Sequence, residues 1–327
     1  MQSILRRVLA SGGVLLVVAV LAACGSSSSS SSSASSSAGS SSSAGSSSAS
    51  GGALPGKGKP AITVGDKNFT EEFTLGYLYT DALRAKGFTV NLKPNIGSSE
   101  LIDKSLTSGQ IDMYPEYTGV ILSVLKGTDK VPPTAQATYQ AAKTFEEGRG
   151  FTLLDPTPFF DADAIVTLKP FAQKNHLTTI ADLGKLKSWT YGGPPENQTR
   201  YEGVVGLHQA YGLHNLKFVP LTIGLQYQAL DSGKIQTAAA FTTDGQLQSG
   251  KYVTLTDTKH IFGFQNVAPV VSKHLLDREG PAFAQTLNAV SAKLTNHVMQ
   301  QLNAAVDIDK VDPATVAHKF LQANGLA

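Results

Sequence analysis

The chain has 327 residues, 27 basic and 25 acidic, with a formal net charge of +2, 41% hydrophobic residues and one cysteine. A near-neutral chain without a basic cluster argues against nucleic acid as a partner. A lone cysteine rules out an intramolecular disulfide, and the length beyond Pro60 suits one large domain or two lobes.

Arg6 and Arg7 precede an apolar run from Val8 to Val20, interrupted only by Ser11, Gly12 and Gly13. Leu21-Ala22-Ala23-Cys24 follows in the form of a lipobox. The run is shorter than the ~20 residues a spanning helix needs. Residues 1–23 are therefore predicted to be a lipoprotein signal peptide. Diacylation at Cys24 would supply the two-chain attachment that stable anchoring requires. The mature chain would then sit outside the cell membrane, held by lipid alone. Residues 25–53 contain only Ser, Gly and Ala. This stretch is predicted to be a flexible tether reaching roughly 30 Å, the tether segment as a whole running from Cys24 to residue 59.

The body alternates short β-rich runs with amphipathic helical ones. Strands are predicted at Ala61–Val64, Thr89–Leu92, Ile111–Tyr114 and Phe151–Leu154, and helices at Thr70–Lys86, Glu100–Thr107 and Ala135–Glu147. In the first helix Leu75, Leu78, Tyr79 and Ala82 recur at helical spacing, and Ser108-Gly109 stops the second. The pattern restarts after Pro156 and Pro158. Strands are expected at Ala164–Leu168, Trp189–Tyr191, Phe218–Val219, Thr237–Phe241 and Val253–Leu255. Helices are expected at Thr178–Leu186, Val204–Tyr211 and Leu225–Leu230. A last apolar strand, Val267–Val271, is broken by Pro269, and mostly helix follows. This rhythm implies α/β lobes with mainly parallel sheets. Lobe I would comprise 60–160 plus 267–327 and lobe II 161–266, with two crossings between them. The C-terminal helices have no strands after them, so they should pack on the first lobe's sheet.

Motifs for covalent chemistry are missing: no GxSxG, no HExxH, no P-loop. The histidines show no paired metal spacing, so neither a metal nor a cofactor is expected. Gly97-Ser98-Ser99 is either an anion site at a helix N-terminus or an ordinary helix cap. Tyr114, Glu116 and Tyr117 at a strand end suit a small polar or cationic ligand.

Four blocks carry a family resemblance: Val64-Gly65-Asp66-Lys67-Asn68-Phe69-Thr70-Glu71, Gly109 to Gly119, Gln228 to Gly233, and Phe241-Thr242-Thr243-Asp244-Gly245. Over about Ile62 to Gly325 the chain resembles the glycine betaine/choline/carnitine class of ABC-importer substrate-binding proteins. The resemblance implies a two-lobe, type II periplasmic-binding-protein-like fold and no enzymatic activity. Its implied partners are a small quaternary amine or zwitterion, an ABC permease and its ATPase subunit. It implies a monomer. In that family an aromatic cage holds the ammonium, because a trimethylammonium has no N–H to donate, and an arginine holds the carboxylate. Tyr117 falls on a cage tyrosine, Phe241 at or near another aromatic position, and Arg200 on the carboxylate-binding arginine. Glu72 and Asn266 fall near ligand-contacting positions.

The chain also departs from the family pattern. Asp161-Ala162-Asp163 stands where many members have a tyrosine, Gln265-Asn266 where many have paired tyrosines, and Val120 where a threonine is usual. Asp163 or Asp161 would then act as a counter-charge to a cation. Three rival readings stay open. One keeps the scaffold but binds another amine, an amino acid derivative or a phenolic compound. The second is a surface interaction module that no longer transports, and the third is an extracellular hydrolase.

Overall fold

The structure, a computed structural model, describes residues 53–128 and 132–327. The lipobox, Cys24 and the tether up to residue 52 lie outside the described residues.

Among the described residues, ten strands form two five-stranded sheets. The first sheet contains β1 (Ile62–Gly65), β2 (Val90–Lys93), β3 (Met113–Tyr117), β4 (Phe151–Leu153) and β10 (Val267–Ser272), in the order β2-β1-β3-β10-β4. The second contains β5 (Asp163–Leu168), β6 (Trp189–Gly193), β7 (Leu216–Pro220), β8 (Thr237–Phe241) and β9 (Tyr252–Leu255), in the order β7-β6-β8-β5-β9. Neither sheet is mainly parallel. β1 runs parallel to β2 and β3, but β10 is antiparallel to both β3 and β4. Likewise β6 is parallel to β7 and β8, while β5 is antiparallel to β8 and β9. In each sheet the reversal comes from the strand that follows a crossing between the lobes, a consequence of topology that side-chain periodicity does not encode.

Pro269 does not break β10. It lies opposite Pro115 of β3. The Thr118 amide donates to the Asn266 carbonyl at 2.9 Å, and antiparallel pairs alternate between bonded and non-bonded. That alternation puts the two prolines in a non-bonded pair, where neither needs an N–H. On the other edge the Pro269 carbonyl accepts from the Leu154 amide.

The first helix, α1 (Thr70–Ala85), buries Leu75, Leu78, Tyr79 and Ala82 completely. They pack with Phe283, Leu287, Val316 and Phe320 from the C-terminal helices against one face of the first sheet. The other face is covered by α2 (Ser99–Thr107) and α3 (Ala135–Glu147), through Ile102, Leu106, Tyr139 and Ala142. The second sheet has its own core around Ile165, Trp189, Tyr191 and Leu207. The helix expected over Val204–Tyr211 is instead a π turn, Tyr201–Val205, followed by a short helix, Gly206–Gln209. Gly203 sits at the kink, where a Cβ would fall 2.1 Å from the Asn197 carbonyl oxygen.

The two crossings run side by side. The Asp161 amide donates to Gln265 O at 3.0 Å, and Phe160 bridges Asn266. Two short extended segments therefore form the hinge. Among the described residues, no helix is long and apolar enough to cross a membrane.

Candidate functional site

A cleft of about 530 Å3 opens between the sheets. Lobe I supplies Lys67, Phe69, Ser98, Ser99, Tyr117 and Val120, and lobe II supplies Asp163, Glu196, Asn197, Arg200 and Phe241. Asp161 and Gln265 reach it from the hinge. Strand ends place three of these groups. Tyr117 closes β3, Phe241 closes β8 and Asp163 opens β5.

The aromatic groups are stacked on one another. Phe69 lies between Tyr117, with ring centroids 6.2 Å apart, and Phe241, at 5.5 Å. Phe69 and Tyr117 belong to lobe I and Phe241 to lobe II, so the Phe69–Phe241 contact spans the cleft. The Lys67 ammonium lies 4.2 Å from the Tyr117 centroid and 5.6 Å from that of Phe69. Its charge is met by Glu116 at 2.5 Å and Glu72 at 3.7 Å. Glu116 therefore serves Lys67, and the Tyr114 ring is buried in the core. Of the tyrosine–glutamate–tyrosine motif, only Tyr117 lines the cleft.

Buried carboxylates dominate the electrostatics. Glu71 accepts from the Tyr117 hydroxyl at 2.8 Å, Asn303 at 2.8 Å and, from lobe II, the Thr243 hydroxyl at 2.6 Å. Burial raises its pKa, and these bonds oppose the rise. Burial, then the charge on Glu71, holds Asp161 well above the usual carboxylate range. Asp163 is half-buried; desolvation, reinforced by Glu202, pushes it up to about 8. Burial raises Glu202 too, against bonds from Ser123 and Gln265. The basic groups on the wall, Lys67 and Arg200, are both already paired with glutamates. A cation entering this cleft would meet carboxylates that pay a desolvation penalty without it.

Arg200 grips Glu100 of α2 across the cleft, through Nη2 at 2.8 Å and Nε at 3.4 Å. The Ser98 hydroxyl also points to Glu100, at 2.6 Å, and does not cap the helix that Ser99 begins. Tyr117, Arg200, Phe241, Asp161 and Asp163 thus meet in one place. Two residues expected near the ligand lie elsewhere. Glu72 is fully buried beneath the Lys67 backbone, outside the cleft wall. The Asn266 side chain donates to the Thr157 and Phe159 carbonyls and ties the hinge together. Its neighbour Gln265 lines the cleft, bonded to Val120 N and Glu202.

Residue-by-residue reasoning did not assign Lys67 or Phe69 a role, though both lie inside the block Val64 to Glu71. Among the described residues no group of three His, Cys, Asp or Glu side chains is arranged to hold a metal ion.

Two α/β lobes joined by a paired hinge, with a polar and aromatic cleft between them, define a class: solute-binding proteins that close over a ligand. The chain belongs to the OpuAC family, the substrate-binding domain of ABC-type glycine betaine transport systems, whose model matches residues 60–323. It is 31% identical over 277 residues to a glycine-betaine-binding protein of Pseudomonas aeruginosa, covering 81% of this chain and 88% of the relative. A carnitine transport binding protein of Listeria monocytogenes is 26% identical, covering 83% and 90%. A solved glycine betaine/carnitine/choline ABC transporter structure superposes with a TM-score of 0.67 at 26% identity, covering 81% of this chain and 99% of that one.

Proposed function

We propose that this chain captures a small quaternary amine or zwitterion in the interlobe cleft and delivers it to an ABC permease with its ATPase subunit. The Phe69–Phe241 ring pair across the cleft, beside Asp161 and Asp163, carries this reading. Rings 5.5 Å apart leave no room for a methylated ammonium between them. Hinge opening draws Phe241 away from Phe69. The ammonium enters between the two rings, and the lobes close on it, each ring within the ~6 Å of a cation–π contact. Asp161 and Asp163 supply counter-charge. A ligand carboxylate turns toward Lys67 and Arg200, replacing Glu100 on the guanidinium fork.

The raised carboxylates favour a second reading of the same site: an amine that keeps an N–H to donate to Asp163. Isothermal calorimetry with glycine betaine, proline betaine, choline, carnitine and ectoine separates the two. Micromolar binding of a quaternary amine, lost in Tyr117→Ala or Arg200→Ala, supports the first; binding only of amines bearing N–H supports the second. No binding across the panel would refute the first.

In the same proposal Cys24 carries the lipid anchor, the protein acts as a monomer on the outer face of the cell membrane, and it performs no chemical step. A Cys24→Ala chain should be recovered from the medium, not from the membrane fraction.

A further inference from the structure

A second cavity, of about 580 Å3, lies between the lobes on the other side of the ring pair. Asn68, Phe69, Ile223 and Phe241 line both cavities and so form the wall between them. Lobe I contributes Glu71, Asn303 and Asp307 to the second cavity, and lobe II contributes Asp244 and Gln246. Among the described residues that line it there is no lysine, arginine or histidine.

Two buried acceptors in its wall have no donor among the described residues. Asn303 is 3% exposed. Its amide nitrogen donates to Glu71 and to the Thr243 carbonyl, while its Oδ1 is buried with no donor. The Gln246 Oε1 is also buried without a donor. An unmet buried acceptor carries its full desolvation cost. Asp244 accepts from the Tyr227 hydroxyl and the Phe241 amide, and Asp307 from the Thr70 hydroxyl. A carboxylate has about four acceptor sites, so both retain capacity. Burial pushes Asp244 up to about 7, with Asp307 and Glu71 adding to the shift. Burial raises Asp307 as well, against the Thr70 hydrogen bond, the pull of Lys310, which lies outside the wall, and a contact from the Gln246 amide.

We propose that this cavity is a second ligand site, for a small organic cation bearing N–H donors, a primary ammonium or a guanidinium. Such a group supplies both the charge that Asp244 and Asp307 lack and the protons that Asn303 and Gln246 can accept. A quaternary ammonium supplies only the charge. Because the walls come from both lobes, occupation favours the closed arrangement, and ligands in the two cavities strengthen each other reciprocally.

The test is calorimetric titration of the full chain with 1,4-diaminobutane, and separately with tetramethylammonium. Diaminobutane should bind wild type at least tenfold more tightly than Asp307→Asn, with a smaller loss in the half-buried Gln246→Met. Neither substitution should change quaternary amine binding in the main cleft, and saturating that cleft should tighten the diamine. The proposal fails if the diamine does not bind, binds Asp307→Asn as tightly as wild type, competes with the cleft ligand, or is matched by tetramethylammonium. Should Asp307→Asn not fold, Gln246→Met decides by the same comparison. The diamine result does not depend on whether any quaternary amine binds, so the two readings fail separately.

Discussion

Closure depends on a hydrogen bond that can be removed almost without changing shape. The Thr243 hydroxyl of lobe II donates to Glu71 of lobe I at 2.6 Å, and Thr243 is 1% exposed. In Thr243→Val the main-chain contacts remain: the amide to Asp161 at 3.0 Å and the carbonyl to Asn303 at 3.1 Å. The hydrogen bond to Glu71 is lost, worth about 1.5–3 kcal/mol, along with the hydroxyl's smaller pull on Asp161. In the open form the threonine hydroxyl is met by water and Glu71 keeps Asn303 and Tyr117, so the loss falls on the closed form. At ~1.4 kcal/mol per tenfold, ligand Kd should rise about 10–150-fold. The ligand-free thermal midpoint should barely move, because the two lobe cores do not include this contact. Calorimetry gives the Kd and thermal unfolding the midpoint. An unchanged Kd, or a lowered midpoint with unchanged Kd, would show that the bond holds the fold and not the closure.

The remaining expectations concern the same interface. A Cβ at Gly245 of lobe II would fall 2.6 Å from the Ala304 Cα of lobe I. Gly245→Ala should therefore hold the lobes apart at ~1–3 kcal/mol, seen as a larger radius of gyration with ligand by X-ray scattering; an unchanged radius refutes it. A cation pairs with ionised Asp163, whose pKa is about 8 without ligand. Below that pH the proton must leave on binding, so affinity should climb as pH rises from 6 to 8, by up to about tenfold per unit, then level off. Asp163→Asn should flatten the profile; a wild-type affinity that falls with pH over this range contradicts the assignment. Glu100 is 48% exposed, so its pair with Arg200 is worth at most ~1 kcal/mol. Glu100→Gln should tighten glycine betaine up to about fivefold and leave choline, which has no carboxylate, unchanged. Equal effects on both ligands would separate Arg200 from the carboxylate.

Much of the fold is legible in residue periodicity. The bounds of Ala135–Glu147 and Thr237–Phe241 are the expected ones, and the Leu75–Ala82 stripe is the buried face of α1. What periodicity misreads is governed by partners far along the chain. Pro115 reads as the end of a strand until Pro269 is placed opposite it. The helix expected from Val204 gives way to a π turn because the Asn197 backbone comes against Gly203, just ahead of it. The site divides in the same way. Tyr117, Arg200 and Phe241 stand out through aromatic and guanidinium chemistry. Lys67 does not, because a lysine beside a cation site looks repulsive. Its charge is cancelled by Glu116, a partner 49 residues away in sequence. Glu72, expected near the ligand, is instead drawn beneath the backbone by the same lysine.

The most direct test of the central claim is a crystal structure with the tightest-binding quaternary amine. The ammonium nitrogen should lie within ~6 Å of both the Phe69 and Phe241 centroids, with the rings moved apart and Asp163 alongside. A ligand bound elsewhere, with Phe69 still stacked on Phe241, would contradict the account.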